Sequence, residues 1–416
     1  MSRAPPSLFP VDVAMARVLL LSLLLPHTLG ADALGSQSNP LVVHELQAVP
    51  RSGRRRSESQ RQLRGKTLSA KSPELKPLYP GYGTHFVYAY VGSPVQRQSL
   101  IVDTASSYTA FPCVGCLLCG DHTDPYFDVT ASTTKQIPQC AADVCHISMA
   151  YTEGSSWDAV AVVDTFSFGG ILETSVTTAY AVKHYFACQT AVSGVFKTQL
   201  ADGILGLSMA PTAVHYQMHD QGVSESKVFA LCFKTGGGIM TVGGVDSSIH
   251  MSSTVNYAPL QPSSSGFYQV KISDIVLVPP GFGASPKSLN LSPDVLSQRS
   301  FAIVDSGTTD TFLPKSLLGD FSTNFKAITG IDYTTEDVAL TDAQLNSIPA
   351  VKFLIPDTNG GTFFVTMPME SYVEDVSESE SERVFAFRLY FTEDEGAILG
   401  SNFMLGELLQ LLIGGT

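Results

Sequence analysis

Ile101-Val102-Asp103-Thr104-Ala105-Ser106 and Ile303-Val304-Asp305-Ser306-Gly307-Thr308 are two copies of one string. Each is followed, in the same order, by a second shared string: Gly203-Ile204-Leu205-Gly206 after the first and Ala397-Ile398-Leu399-Gly400 after the second. The Asp-to-Gly spacings are 103 and 95 residues. Two motifs repeated in one order at nearly one spacing mark an internal duplication. Its physical reading is two homologous lobes, each placing an Asp at the end of a buried strand. The joint between them is expected in Thr254–Gly266, where Pro262-Ser263-Ser264-Ser265-Gly266 reads as linker.

An ionised carboxylate directly after Ile-Val is costly to bury alone. If the duplication brings Asp103 and Asp305 face to face, they can share one proton. Like charges at hydrogen-bond range split the two apparent pKa values, leaving one group ionised and one protonated in acid. The ionised member can then deprotonate a water while the protonated one polarises a carbonyl. Such chemistry needs no metal, no cofactor and no nucleophilic side chain. The neighbouring residues have matching uses: Ser106 and Thr308 can donate hydroxyls to the carboxylates, and Thr104 and Ser306 can tie the two loops across the pseudo-dyad.

Outward from these strings the pattern is one of short strands. His85-Phe86-Val87-Tyr88-Ala89-Tyr90-Val91, then Gly92-Ser93-Pro94, then Gln98–Asp103 reads as strand, turn, strand. Similar runs with Gly, Ser and Pro punctuation continue to the end, so the body is expected to be mainly β. Short helices are expected over Pro211–Gln221 and Pro314–Ile328. Hydrophobic residues at 44%, with 34 Gly and 24 Pro among 416 residues, fit a turn-rich globular protein with a sizeable core.

The Asp-Thr-Ala-Ser string at 103–106, the Asp-Ser-Gly-Thr string at 305–308 and the two Ile-Leu-Gly strings resemble the pepsin family of aspartic proteases, from about Tyr79 to Met404. The resemblance implies a bilobal acid-protease fold, with an active site in the cleft between two β-rich lobes. It implies catalytic Asp103 and Asp305, supported by Thr104, Ser106, Ser306, Gly307 and Thr308, acting on a peptide or protein substrate. Tyr151-Thr152-Glu153-Gly154-Ser155 resembles the family's flap hairpin, making Tyr151 the tyrosine that covers the cleft; the plainer reading is a strand-edge aromatic. Gly266-Phe267-Tyr268 resembles the start of the second lobe. The domain limits follow as 1–30 leader, 31–76 basic propeptide or linker, 77–257 N-terminal lobe and 258–416 C-terminal lobe.

Cys113, Cys116, Cys119, Cys140, Cys145 and Cys188 resemble the cysteine-rich insert of the nepenthesin and plasmepsin V-like subgroup. The resemblance implies the pairs Cys113–Cys188, Cys116–Cys119 and Cys140–Cys145, with Cys232 left over. Spacing alone leaves a zinc site on Cys113, Cys116, Cys119 and His122 as the competing reading. Connectivity does not follow from sequence. No metal and no cofactor are expected.

Arg17 followed by Val18–Leu25, Pro26 and the small residues near Gly30-Ala31 has the order of a secretory leader, and the apolar run is too short to span a bilayer. The competing reading is a buried N-terminal helix. No later run reaches ~18 apolar residues, so no stable membrane anchor is expected. The product is expected in the secretory pathway, extracellular or lumenal/vacuolar, as a monomer. Residues 1–76 hold 11 Lys and Arg against 5 Asp and Glu, whereas the remainder holds 14 against 33. A body of net charge −19 repels phosphate backbones and excludes nucleic acid as a partner. The basic segment would pair with this body at neutral pH and let go as carboxylates protonate; the plain alternative is a solvated linker. Arg54-Arg55-Arg56 would be its processing site. Asn290-Leu291-Ser292 is a glycosylation sequon followed by Pro293. Glu370–Glu382, with six acidic residues and four serines, is expected to be a solvated loop.

Two departures from the family pattern stand out. Ala105 stands where a Gly lets the backbone approach the carboxylates, so a methyl would displace water or strain the loop unless a small shift absorbs it. After Met404 the chain reads Leu405–Thr416 in place of further strands, which is expected to leave unpaired sheet edges.

Overall fold

The two copies of the Asp string fold in the same way. In this computed structural model, which describes residues 40–45, 74–81, 83–140, 143–168, 180–245, 255–281, 283–297, 300–379 and 383–411, all lie within the unit Ser38–Thr416. The strand Gln96–Asp103 runs parallel to Gly203–Gly206, with Ile101 beside Ile204 and Val102 beside Leu205. The strand that leaves the Asp loop, Thr109–Leu117, returns antiparallel on the other side of Gly203–Gly206, through Ala110 opposite Ile204. The second copy repeats each pairing: Ile303 beside Ile398 and Val304 beside Leu399 in parallel, then Phe312 opposite Ile398 antiparallel. Beyond the outgoing strands, Thr109–Leu117 pairs in parallel with Val182–Val192, and Thr311–Pro314 with Leu389–Glu393.

This arrangement makes each Asp loop cross over the end of the Ile-Leu-Gly strand. The crossing explains the glycine that closes that string. A Cβ on Gly206 would lie 2.6 Å from the Tyr108 carbonyl oxygen, and one on Gly400 2.1 Å from that of Asp310. Val102 and Leu205, like Val304 and Leu399, are buried beneath the loops, so apolar packing fixes the height at which each carboxylate emerges.

The fold is β-rich and bilobal. One continuous sheet of 13 strands carries the first Asp, and a five-stranded sheet carries the second. A four-stranded sheet backs the latter, and strict alternation of buried residues along Ala350–Pro356 shows which face it packs. The helices fall where the sequence suggests. Val214–Asp220 lies inside the first expected stretch; a 3-10 turn Lys315–Leu317 and the helix Leu318–Thr329 fill the second. The latter buries Phe321 and Phe325 and stops at Gly330, whose φ of 73° suits glycine.

Three expectations need correction. The first concerns the basic segment, which is not wholly a detached linker. Its residues Pro40–Glu45 form a strand between Asn256–Pro259 and Glu407–Leu411, and Glu74–Pro80 pairs with Gly237–Val242. The leader at 1–30 and the Arg54-Arg55-Arg56 run lie outside the described residues. The second concerns the chain after Met404. Glu407–Leu411 is a strand paired on both sides, with Pro40–Glu45 and with Phe229–Lys234, so its ladder leaves no open edge there. The third concerns Glu370–Glu382. Its first part is ordered, because Tyr372 and Val373 are apolar anchors among the acids. Met369–Tyr372 is a helical turn that buries Ser371 and Tyr372, and Val373–Asp375 pairs with Val384–Phe387. Arg383 and Arg388 neutralise Asp375 and Glu374 there.

Two histidines are fully buried beside the first Asp loop. His184 sets Nδ1 against the Gln217 side-chain oxygen at 3.2 Å and Nε2 against the Thr109 hydroxyl at 2.7 Å. His215 lies among the rings of Tyr216 and Phe229, and neither of its ring nitrogens has a hydrogen-bond partner. Burial pushes His184 down to about 4; burial, with the Lys227 charge adding to it, pushes His215 down to about 3. Both values lie below the ordinary 6.5, so the unfolded chain takes up protons first as pH falls. The stability due to these neutral rings is complete above pH ~6.5 and drains away as pH falls towards the folded values. His215→Phe, which also removes two unpartnered polar atoms, should therefore narrow the loss of thermal stability between pH 7.5 and 4.5. The expected gain at the acid end is on the order of 3 kcal/mol, seen as several degrees in melting temperature. An unchanged difference between the two pH values would contradict it.

Candidate active site

Asp103 ends the strand Gln96–Asp103, Asp305 directly follows the strand Ala302–Val304, and the two carboxyls come within hydrogen-bonding range of each other. Each carboxylate is held from behind in the same manner. Asp103 accepts from the Ala105 backbone N–H at 2.8 Å and from the Ser106 hydroxyl at 2.6 Å. Asp305 accepts from the Gly307 backbone N–H at 2.9 Å and from the Thr308 hydroxyl at 2.6 Å. These bonds consume lone pairs on the inner sides and fix both carboxyl planes.

Thr104 and Ser306 lock the two loops together reciprocally. The Thr104 N–H donates to the Ser306 hydroxyl oxygen at 3.1 Å, and the Ser306 N–H donates to the Thr104 hydroxyl oxygen at 2.9 Å. Each hydroxyl then passes its proton across to the opposite strand: Thr104 to the Val304 carbonyl at 2.8 Å, Ser306 to the Val102 carbonyl at 2.7 Å. All four bonds are buried, so both hydroxyls are fully used as donor and acceptor.

Burial raises both carboxyls. Burial and the Asp305 charge together push Asp103 up to about 7. Asp305 is also raised by burial, but its bonds from Thr308, Gly307 and Asp103 oppose the rise. Two buried carboxyls at this range share one proton, and the pair rather than either member holds it. That is the singly protonated state in which one carboxyl can give a proton and its partner take one.

Tyr151 sits at the turn of the hairpin formed by His146–Ala150 and Ser156–Phe168. The turn closes through Tyr151 N–H to Ser155 O at 2.8 Å and Gly154 N–H to Tyr151 O at 3.0 Å. Gly154 has a φ of 95°, the left-handed backbone such a turn needs. The Tyr151 ring packs on Phe196 at 5.0 Å, and its hydroxyl lies 3.3 Å from that of Ser106. Burial, with the Asp103 charge adding to it, pushes the phenol up to about 12, so it stays protonated. Sequence reading missed the next member of this chain. Trp157, the lone tryptophan, donates its indole N–H to the Tyr151 hydroxyl at 3.1 Å. The phenol proton is thereby turned to Ser106, and the Ser106 proton to Asp103. The signal lay six residues after Tyr151 on the return strand, at a position whose side chain points inward.

Trp157→Phe keeps an aromatic ring in that place and deletes only the donor. The expected result is a drop in kcat/KM of about fivefold, since a net hydrogen bond is worth roughly 1 kcal/mol and a tenfold change 1.4. A steady-state comparison on an extended peptide, with melting temperature as the folding control, checks it.

The structure contains three bridges, Cys113–Cys188, Cys116–Cys119 and Cys140–Cys145, while Cys232 is free of a disulfide and buried. The first ties the parallel neighbours Thr109–Leu117 and Val182–Val192. The sulfurs of the competing zinc set are thus consumed, and both ring nitrogens of His122 face carbonyls, those of Gln199 and Cys119 at 3.0 and 2.7 Å. The residues present do not offer a zinc ion a donor set. Among the described residues no helix is long and apolar enough to cross a membrane.

A family model described as eukaryotic aspartyl protease matches residues 84–408. The chain is 30% identical over 204 residues to Aspartic protease 5 of Toxoplasma gondii, a match covering 40% of this chain and 21% of that protein. It is 28% identical over 199 residues to Plasmepsin V of Plasmodium falciparum, covering 42% and 32% respectively. It is 26% identical over 266 residues to Aspartyl protease AED1 of Arabidopsis thaliana, covering 62% and 54%. The matched part thus spans about a fifth of the first of these relatives and about a third of the second.

Proposed function

The chain belongs to the eukaryotic aspartyl protease family, and from that premise we propose that it is a secretory-pathway endopeptidase in which Asp103 and Asp305 activate water against a peptide bond. The observation that carries the reading is the reciprocal Thr104–Ser306 lock, which has no purpose in either lobe alone and brings two buried carboxyls together. In the proposed cycle the ionised Asp305 takes a proton from water as its oxygen bonds to the scissile carbonyl carbon, while Asp103 gives its proton to the carbonyl oxygen. A proton from Asp305 then passes to the amide nitrogen, the C–N bond breaks to release the amine, and one hydroxyl of the gem-diol returns its proton to Asp103, leaving the acid and the dyad as it began. Tyr151 closes over the site and excludes water from its flank. Disulfides and the leader-like start support the lumenal setting.

Ala105 gives a second reading its footing: a pepsin-fold protein that binds peptides with little or no turnover. Ala105 holds the place in the first loop that Gly307 holds in the second, where a Cβ would stand 2.4 Å from the opposite carboxyl carbon. Against this, the Ala105 N–H keeps its bond to Asp103. One pH–rate profile on an extended peptide, run for the natural sequence and for Ala105→Gly, separates the two. The endopeptidase reading expects cleavage by both, with Ala105→Gly faster by up to about a hundredfold, since ~1 Å of displacement can cost that much. It also expects activity to fall as pH rises through about 7, where the pair loses its shared proton. Peptide binding without turnover by the natural sequence, with turnover restored by Ala105→Gly, would establish the second reading.

A further inference from the structure

We infer that Asn290 is an N-glycosylation site, modified on its side-chain nitrogen by an oligosaccharide carried on a lipid pyrophosphate. The inference rests on the secretory reading above, because only lumenal chains meet that donor. The motif itself is common by chance; what distinguishes this copy is how the fold presents it. Leu289 is buried, and its N–H donates to the Ile275 carbonyl at 2.9 Å. Leu291 on the other side packs against the core. With both neighbours turned inward, Asn290 is exposed. Its φ is 50°, a left-handed conformation that Asn adopts more readily than most residues. The Asn290 N–H is fixed by the Ser288 hydroxyl oxygen at 2.8 Å, and Ser288 in turn donates to Asp274 at 2.5 Å. The backbone is therefore pinned while the side chain is not.

The acceptor nitrogen is not committed elsewhere. Among the described residues its one hydrogen-bond contact, to the Ser288 carbonyl, is 3.5 Å long, at the limit of a hydrogen bond. That carbonyl already accepts from the Asn324 side chain at 3.1 Å. Ser292, the hydroxyl residue of the motif, is exposed as well. The site follows Lys287–Ser288, an outer strand of the four-stranded sheet in the order Lys287–Ser288, Asp274–Val278, Ala350–Pro356, Thr362–Met367. A glycan at Asn290 would shield that edge against pairing with other chains.

The transfer balances without a redox step. A bond forms between Asn290 Nδ2 and the anomeric carbon of the oligosaccharide. The bond from that carbon to the pyrophosphate oxygen breaks, the lipid pyrophosphate leaves, and one amide proton passes to base. Pro293 follows the motif at once and narrows the backbone freedom of Ser292. Occupancy is therefore expected to be partial and to rise in Pro293→Ala.

The test expresses the full chain in a eukaryotic secretory host in two forms, with its own start and with an appended cleavable leader. In the leader-driven form the expected result is a band that drops by one oligosaccharide on enzymatic deglycosylation. Peptide mass spectrometry should place the resulting deamidation at residue 290. The drop should vanish in Asn290→Gln and equally in Ser292→Ala, which leaves the left-handed residue untouched. A lumenal, disulfide-bonded product of unmodified mass, in the natural sequence and in Pro293→Ala alike, would overturn the inference. Failure of only the native-start form to reach the lumen would count against the secretory reading, while a glycan on the leader-driven form would still support the site.

Discussion

Asp305→Asn should lower kcat for an extended peptide by about 10²–10⁴-fold or more, the contribution ordinarily carried by one positioned acid–base group. The same loss is expected of Asp103→Asn, by a different route. Asparagine at 305 cannot take a proton from water, whereas asparagine at 103 can still donate a hydrogen bond but cannot transfer the proton to the carbonyl oxygen. Both variants keep the side-chain shape: the amide oxygen keeps the bond from the Ala105 or Gly307 N–H, and the amide NH2 faces the Ser106 or Thr308 hydroxyl, which turns to accept from it. The singly protonated pair carries one charge, neither variant adds another, and the amide can stand in for the protonated carboxyl as hydrogen-bond donor, so neither variant should lose much thermal stability. Single-turnover rates with melting curves check this. Cleavage at undiminished rate by either folded variant would remove these residues from the chemistry.

Gly307→Ala should be nearly as damaging while leaving both carboxyls in place. A Cβ at that position would stand 2.4 Å from Asp103 Cγ and 2.6 and 2.7 Å from its two carboxylate oxygens. Contacts that short cannot be tolerated, and the neighbour that must yield is an acid pinned by two hydrogen bonds. Either Asp103 is pushed off its plane or the second loop backs away and strains the Thr104–Ser306 lock. A displacement near ~1 Å costs about a hundredfold in rate. With Ala105 already occupying the related position, the loss should exceed that from either methyl alone, because both act on one pair of carboxyls. Comparing Gly307→Ala in the natural and Ala105→Gly backgrounds measures the coupling. Strictly additive losses would mean that the two methyls act independently.

The lobes and the grouping around the two Asp residues were legible because duplication writes the same residues twice. Ile101–Ser106 and Ile303–Thr308 are adjacent in sequence to the groups they bond. Thr104 and Ser306 bond across the lobes, yet each could be nominated from its place in its own copy. What escaped notice depends on contacts far apart in the chain and without a repeat. Trp157 reaches Tyr151 only because a hairpin turns between them. His184 and His215 are ordinary polar letters until Thr109, Gln217 and Phe229 enclose them. The pairing of Pro40–Glu45 with Glu407–Leu411 joins segments from opposite ends of the described chain, and nothing local announces it. The acidic stretch from Glu370 was misread for the converse reason: its charge count outweighed the two apolar residues that anchor it.

That end-to-end pairing has a thermodynamic corollary. The strand Pro40–Glu45 sits between Asn256–Pro259 and Glu407–Leu411, and is joined to the next described strand, Glu74–Pro80, through residues 46–73. While this connection is intact, the strand docks at the effective concentration its tether imposes. Any cut in it would turn one ladder of the sheet into a bimolecular complex. Its occupancy would then obey mass action, so that dilution alone would weaken a part of the fold that is indifferent to dilution in the uncut chain.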